Sequence, residues 1–273
     1  MSIVARDIGK PFFVRPITSA TITTGNEKTN RPAAHLLIHR HVSMVWESDG
    51  NTDLWVRLDL GSAQEIDFVA LLNTNAIAAT DIRVRIGDDQ TEVDGTADYD
   101  STAIDLISPS VTRENGLYHS HLELDSVYTK RWIRIDISSH TGDFRAAHLV
   151  IGKKIEPTYF YEPGAEFGIR DPRNTEINAY GVSSGSDPDD GAPIQRTLRM
   201  RWPWMTEAEY EASFRPLVEG SARRIPFYLC FDPEANAYRQ NRTFFGTFSE
   251  DSVAKISRVP SLLEYPVAMI SQI

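Results

Sequence analysis

The chain has 273 residues, one cysteine and a net charge of −10, with 41% hydrophobic and 24% charged side chains. This composition suits a folded protein with room for two cores and excludes a disulfide framework or a thiolate metal cluster. The acidic balance argues against nucleic acid as a partner, and no apolar run reaches the roughly 18 residues of a membrane span.

Met1 to Lys10 lacks the apolar stretch of a signal peptide, so folding in a reducing cytoplasm is expected. The first half then reads as strand after strand. Trp55–Gly61 alternates Val56, Leu58 and Leu60 with Arg57 and Asp59. Ile66–Leu72 is nearly continuous in apolar residues, as expected of a strand covered on both faces. Ile82, Val84 and Ile86 alternate with Arg83 and Arg85; Leu122 and Leu124 alternate with charged residues and His121. In Arg131–Ile137 the isoleucines point inward and Trp132, Arg134 and Asp136 outward. A period of two marks half-buried strands. Gly61, Gly87 to Asp89, Asn115–Gly116 and Gly142–Asp143 supply the turns. No helix-period segment of ten residues or more interrupts them, which predicts a β-sandwich over about residues 15–153.

Gly152 to Glu166, with two prolines and two glycines, reads as a boundary whose three aromatics dock against a neighbour. Domains are therefore expected at 1–153 and 154–273. In the second half Leu198, Met200 and Trp202 share one strand face, as do Ile225, Phe227, Leu229 and Phe231; Thr243–Phe248 and Tyr265–Ile270 follow. One helix is predicted near 206–219: Thr206 and Glu209 have capping-box spacing, and Tyr210, Phe214 and Leu217 form the apolar stripe. Pro216 should distort it. Ser183–Pro193 has no large apolar anchor and reads as a long loop.

The first half resembles the discoidin or galactose-binding jelly-roll family. The carrying residues are Trp55–Gly61, Ile66–Asn75, Asp81–Gly87, Arg131–Ile137 and Phe144–Gly152. The resemblance implies a jelly roll whose relatives often bind sugars or cell-surface ligands through loops at one end. The second half looks like distal-tail or tail-tube proteins of long-tailed phages, on Thr197–Trp204, the capped helix from Thr206, Arg224–Asp232 and Arg242–Phe248. That likeness implies a β-sandwich with a flanking helix, assembled into rings.

His119 and His121 with Glu123 and Asp125, and His39 with His41, have the alternate spacing that could gather metal ligands on one strand face. A polar solvent face is the commoner explanation. Asp187–Gly191 lacks the glutamate that a calcium loop of the EF-hand type requires. Ser184–Gly185–Ser186 does not fit a nucleophile elbow, and Cys230 in an apolar strand reads as an inert thiol. Neither catalytic residues nor a cofactor or metal is expected. Trp202 and Trp204 cannot be separated into core and interface by pattern.

The resulting expectation is an all-β structural protein of a phage tail tip or baseplate. It would be made in the host cytoplasm and carried in the virion. It would form a hexameric or trimeric ring, contact tail-tube, hub and fibre proteins, and touch host saccharide. Trp132, Arg170, Arg173, Arg223 and Arg224 are the candidate subunit contacts, the arginines meeting acidic residues of a neighbour. The alternative is a free-standing carbohydrate-binding module or an accessory domain of a glycan-degrading system.

Overall fold

The computed structural model describes residues 8–41, 43–113, 115–170, 176–177, 183–184, 195–221, 224–251, 253–256, 259 and 261–273. The first eleven strands are β1 (Phe12–Val14), β2 (Thr21–Thr24), β3 (Trp46–Glu47), β4 (Trp55–Leu72), β5 (Asp81–Gly87), β6 (Tyr99–Asp100), β7 (Ile104–Asp105), β8 (Leu122–Ser138), β9 (Arg145–Ala146), β10 (His148–Gly152) and β11 (Lys154–Ile155). Next come β12 (Glu166–Arg170), β13 (Glu176–Ile177), β14 (Ser183–Ser184), β15 (Gln195–Thr206), β16 (Phe227–Cys230), β17 (Thr243–Phe248), β18 (Lys255–Ile256) and β19 (Leu262–Ser271). The protein is all-β, and the helices among the described residues are short.

In the first sheet the order is β10-β4-β8-β5-β6, with β2 beside β4 and β7 beside β5. The segment read as two strands broken at Gly61 is one 18-residue strand, β4, that bends. Gly61 adopts φ +77, a left-handed conformation that glycine takes without a Cβ clash. There residues 60–63 of β4 stand opposite Arg131 alone; farther on, residues 124–127 of β8 stand opposite Asp67 alone. These paired bulges bend both strands and fold the sheet over itself. Val56, Leu58 and Leu60 from one end of β4 thereby share a core with Ile66, Val69 and Leu71 from the other. The result is the jelly-roll sandwich. On its outer surface Trp55 lies under Arg57 and Arg134, and both arginines are held by Asp94 at the end of α1 (Gln90–Asp94).

While β13 and β14 pair with each other, most strands of the second half join β1 in one sheet, ordered β11-β1-β16-β17-β19-β15-β12 with β18 beside β19. It curls: the ring of Phe167 on the last strand lies 5.6 Å from that of Phe231, just past β16. A helical segment covers its inner face through Phe214 and Leu217. That segment comprises α2 (Glu207–Glu209), a π turn (Tyr210–Phe214) and α3 (Arg215–Ser221). Thr206 Oγ1 accepts from Glu209 N–H at 3.2 Å, as the capping spacing predicts. The Glu209 carboxylate accepts from Thr158 N–H at 2.6 Å, tying the helix start to the chain before β12. The π turn is the distortion expected of Pro216, which has no N–H to give and crowds the carbonyl four residues back.

The expected division at 153/154 is crossed. β1, counted with the first domain, pairs with β16 and β11 in the second sheet. Phe12 and Val14 point to one side of that sheet and Phe13 to the other. A third core forms between the two sheets from Phe12, Val14, Phe68, Ala70, Leu72, Val150, Tyr228, Cys230 and Phe245. β4, β10, β1, β16 and β17 are thus covered on both faces, which accounts for the nearly continuous apolar stretch of Ile66–Leu72 and the unbroken one of Phe227–Cys230. Polar fastenings flank this layer: Gln240 donates to His119 O at 2.6 Å and accepts from His119 N–H at 2.9 Å.

Phe12 is fully buried against Phe68 and Tyr228, with ring centroids at 5.0 and 5.8 Å. Phe12→Ala is expected to cost about 3–5 kcal/mol. In urea it should lower one shared unfolding transition, followed by near-UV circular dichroism. Two separate transitions, with only one displaced, would show that the halves do not fold as a unit.

Candidate functional site

The bend of β4 creates an open groove of about 640 Å³ at one end of the sandwich. Gln64 and Glu65 reach it from the bend, Thr129 from β8, Lys153 from the end of β10, and Arg15, Thr18 and Ser19 from the chain after β1. Five consecutive residues of the bend, 61–65, are exposed because the bulge lifts them off the core. Asp59 Oδ1 secures the turn by accepting from Gly61 N–H at 2.9 Å. Glu65 and Lys153 pair at 3.0 Å across the groove. Arg15 enters from the strand shared with the second sheet, and its guanidinium lies over Gly220 so closely that a Cβ there would meet Cζ at 2.3 Å.

This lining offers ammonium and amide donors, three hydroxyls and one carboxylate. Hydroxyls that both donate and accept suit a polyhydroxylated ligand. Glycoside hydrolysis normally needs two carboxylates facing each other, and Glu65 is the sole carboxylate among the residues lining this groove.

The histidines singled out by spacing serve elsewhere. His119 is buried, with Nδ1 accepting from Asn73 N–H at 3.1 Å and Nε2 lying 2.9 Å from Arg113 Nη1. His121 lies 3.1 Å from the Tyr228 hydroxyl and 3.0 Å from Glu123 Oε1, so it bridges the two halves. Burial would raise the Glu123 carboxyl, but hydrogen bonds from His121 and Lys154 hold it down at about 2. Asp125 accepts from the Tyr128 hydroxyl instead of joining them. His39 is buried with Nε2 at 2.9 Å from Leu149 O, while His41 is exposed. The spacing therefore marks a fastening between sheets. An acidic group that spacing did not suggest, Asp88, Glu92 and Asp98, converges in space, and the Lys130 ammonium reaches into it, pairing with Asp88 and Asp98.

Burial pushes the Cys230 thiol up to about 12, in keeping with an inert thiol. Structure separates the two tryptophans: Trp202 is 2% exposed and Trp204 57%. The register shifts between Trp202 and Met205, at Pro203, and that bulge re-aims Trp204 outward beside Tyr159. Of the three aromatics before β12, Tyr161 docks against Trp202 and Phe231, while Tyr159 and Phe160 are exposed. Trp132 is half-buried beside the Arg131 guanidinium, which is itself paired with Asp59. Arg170 and Arg224 are exposed. Arg173, Arg223 and Asp187–Gly191 lie outside the described residues. Among the described residues, none of these lines the groove. Its own residues carried one signal in sequence, the polar run Ser62–Glu65 between two apolar strands after a glycine.

No protein-family model matches the chain, and no curated protein matches it. Solved structures similar to about half of it include carbohydrate-binding modules. Chitosan-binding module 1 of a chitosanase/glucanase from Paenibacillus sp. IK-5 overlays with a TM-score of 0.36 and 15% identity, covering 51% of this chain and 99% of that one. A fucose binding module of Streptococcus pneumoniae gives 0.39 and 13%, covering 51% and 95%. The lectin domain of lectinolysin, complexed with Lewis B antigen, gives 0.37 and 10%, covering 50% and 94%. Likenesses this distant do not decide what this chain binds.

Acid sensitivity follows from the buried imidazoles. Burial, then the nearby His39 charge, lowers His148 from 6.5 to about 3, and burial also lowers His39, His119, His121 and His140. Between those values the unfolded chain binds more protons, so stability falls as pH drops below about 6.5. His148 alone should contribute up to ~1.4 kcal/mol per pH unit. Urea midpoints at pH 7.5, 6 and 5 should decline, and less steeply in His148→Phe. An identical slope in that variant would remove His148 from the account.

Proposed function

We propose that this chain is a non-enzymatic binding protein whose jelly-roll half holds a saccharide in the groove at the bend of β4. The observation that carries this reading is the lining: hydroxyl, amide and paired charged groups on a rigid strand bend, with Arg15 supplied from the neighbouring sheet. Polar groups held by packed strands orient a ligand without first having to be ordered, which keeps the entropic cost of binding low. The groove is open, so a sugar chain could run through it with neighbouring residues in water. Its Lys153, Gln64 and Glu65 would contact ring hydroxyls directly or through bridging water.

A second reading makes the chain a structural part of a phage tail tip, closed into a homo-oligomeric ring with neighbouring tail proteins. It is favoured by the exposed aromatic side chains Tyr159, Phe160 and Trp204 on the second half, which suit burial against another protein. Mass photometry discriminates the two: rings of three or six subunits favour the tail reading.

The primary reading is tested by glycan-array screening, followed by calorimetry with the best ligand. The paired change Gln64→Ala with Lys153→Ala should weaken binding at least about tenfold, as expected when two hydrogen-bonding side chains are lost. Trp204→Ala should leave it unchanged. Retention of no saccharide, or sensitivity to Trp204 but not to Gln64 and Lys153, would contradict the assignment.

A further inference from the structure

β12 ends the second sheet, and all five of its residues are exposed. One side of the strand is paired with β15, Glu166 opposite Arg199 and Arg170 opposite Gln195. Its other side carries a free row of backbone donors and acceptors among the described residues, the kind of edge that templates pairing with another strand. Phe167 is 63% exposed and Ile169 70%, although the inner side of the Phe167 ring touches Phe231. The Arg199 guanidinium opposite Glu166 is taken by Glu250, which leaves Glu166 to face outward.

The order of residues is self-complementary: acid, apolar, glycine, apolar, base. We propose that β12 pairs with β12 of a second copy of this chain, antiparallel, about a two-fold axis at Gly168. Glu166 then lies opposite Arg170 of the second copy, and Phe167 opposite its Ile169. Both contacts occur twice, as a two-fold interface requires. Opposite-charge and aromatic–aliphatic cross-strand pairs are favourable in this arrangement. Gly168 at the axis carries no side chain to hold the strands apart. Parallel pairing in register would set Glu166 against Glu166 and Arg170 against Arg170, so charge selects the antiparallel form. The opposite edge of the same sheet is a poorer partner. β11 has two residues, and its Lys154 is held by Glu123 at 2.7 Å and by Glu156 at 3.3 Å.

A five-residue ladder is a small contact, so the dimer is concentration-dependent and weakened by salt. This pairing is independent of the saccharide reading. Sedimentation velocity of the full chain over a concentration series tests it. The unsubstituted protein should dimerise as concentration rises. Glu166→Arg alone places two arginines together and Arg170→Glu alone two glutamates, and each should weaken dimerisation at least about tenfold. The double variant carrying both changes restores the charge pairing and should recover the dimer. Both substitutions lie on exposed residues, and circular dichroism verifies the folding of all three variants. A protein that stays monomeric at every concentration, single variants that associate like the parent, or a folded double variant that fails to recover would each overturn the proposal. Rings unaffected by either single change would overturn it as well.

Discussion

Everything in this molecule depends on a dry layer between two sheets. Phe12 and Val14 from the start of the chain enter it, as do Phe68, Ala70, Leu72 and Val150 from the sandwich and Tyr228, Cys230 and Phe245 from the second sheet. Because β4, β10, β1, β16 and β17 have apolar side chains on both faces, none can be exposed on one side without uncovering hydrocarbon. The halves are therefore not beads on a linker. Polar groups at the edge of the layer are matched across it, as with His121 and Tyr228 or Gln240 and the His119 backbone, which satisfies groups that burial would otherwise penalise.

That layer also positions the groove. Arg15 follows directly on Val14, so the strand that locks the halves together runs its backbone past Gly152 along the groove, while the Arg15 guanidinium lies over Gly220. The bend arises from mismatched strand lengths, since bulges on β4 and then on β8 cancel in register while displacing residues 61–65 from the core. The apolar and aromatic groups left outside, on β12 and around Trp204, lie away from that groove and suit contact with other protein surfaces.

Sequence pattern revealed a good deal of this architecture, and its failures have physical causes. Alternation in Trp55–Gly61 and Arg131–Ile137 marked half-buried strands, and the nearly continuous run of Ile66–Leu72, interrupted by Asp67, correctly indicated cover on both faces. Thr206 and Glu209 announced the helix, and Pro216 its distortion. β1 was missed because three successive apolar residues hold no period, and only the partner strand shows which sheet receives them. Trp202 and Trp204 share parity, yet a bulge at Pro203 reverses one of them, and bulges leave little mark in a binary pattern. His119 and His121 have ligand spacing but lie between the sheets, where their partners come from residues as distant as Tyr228 and Gln240. The groove was equally hidden, since its lining comes from four separated segments with no motif among them.

Native-state hydrogen exchange read by mass spectrometry tests the shared layer most directly. If the layer unites the halves, amides of β1, β10 and β16 will open together, with the same free energy and the same response to denaturant. Should β1 and β16 exchange through an opening that leaves β10 and β4 protected, the two sheets are separate folding units and the account of a common core fails.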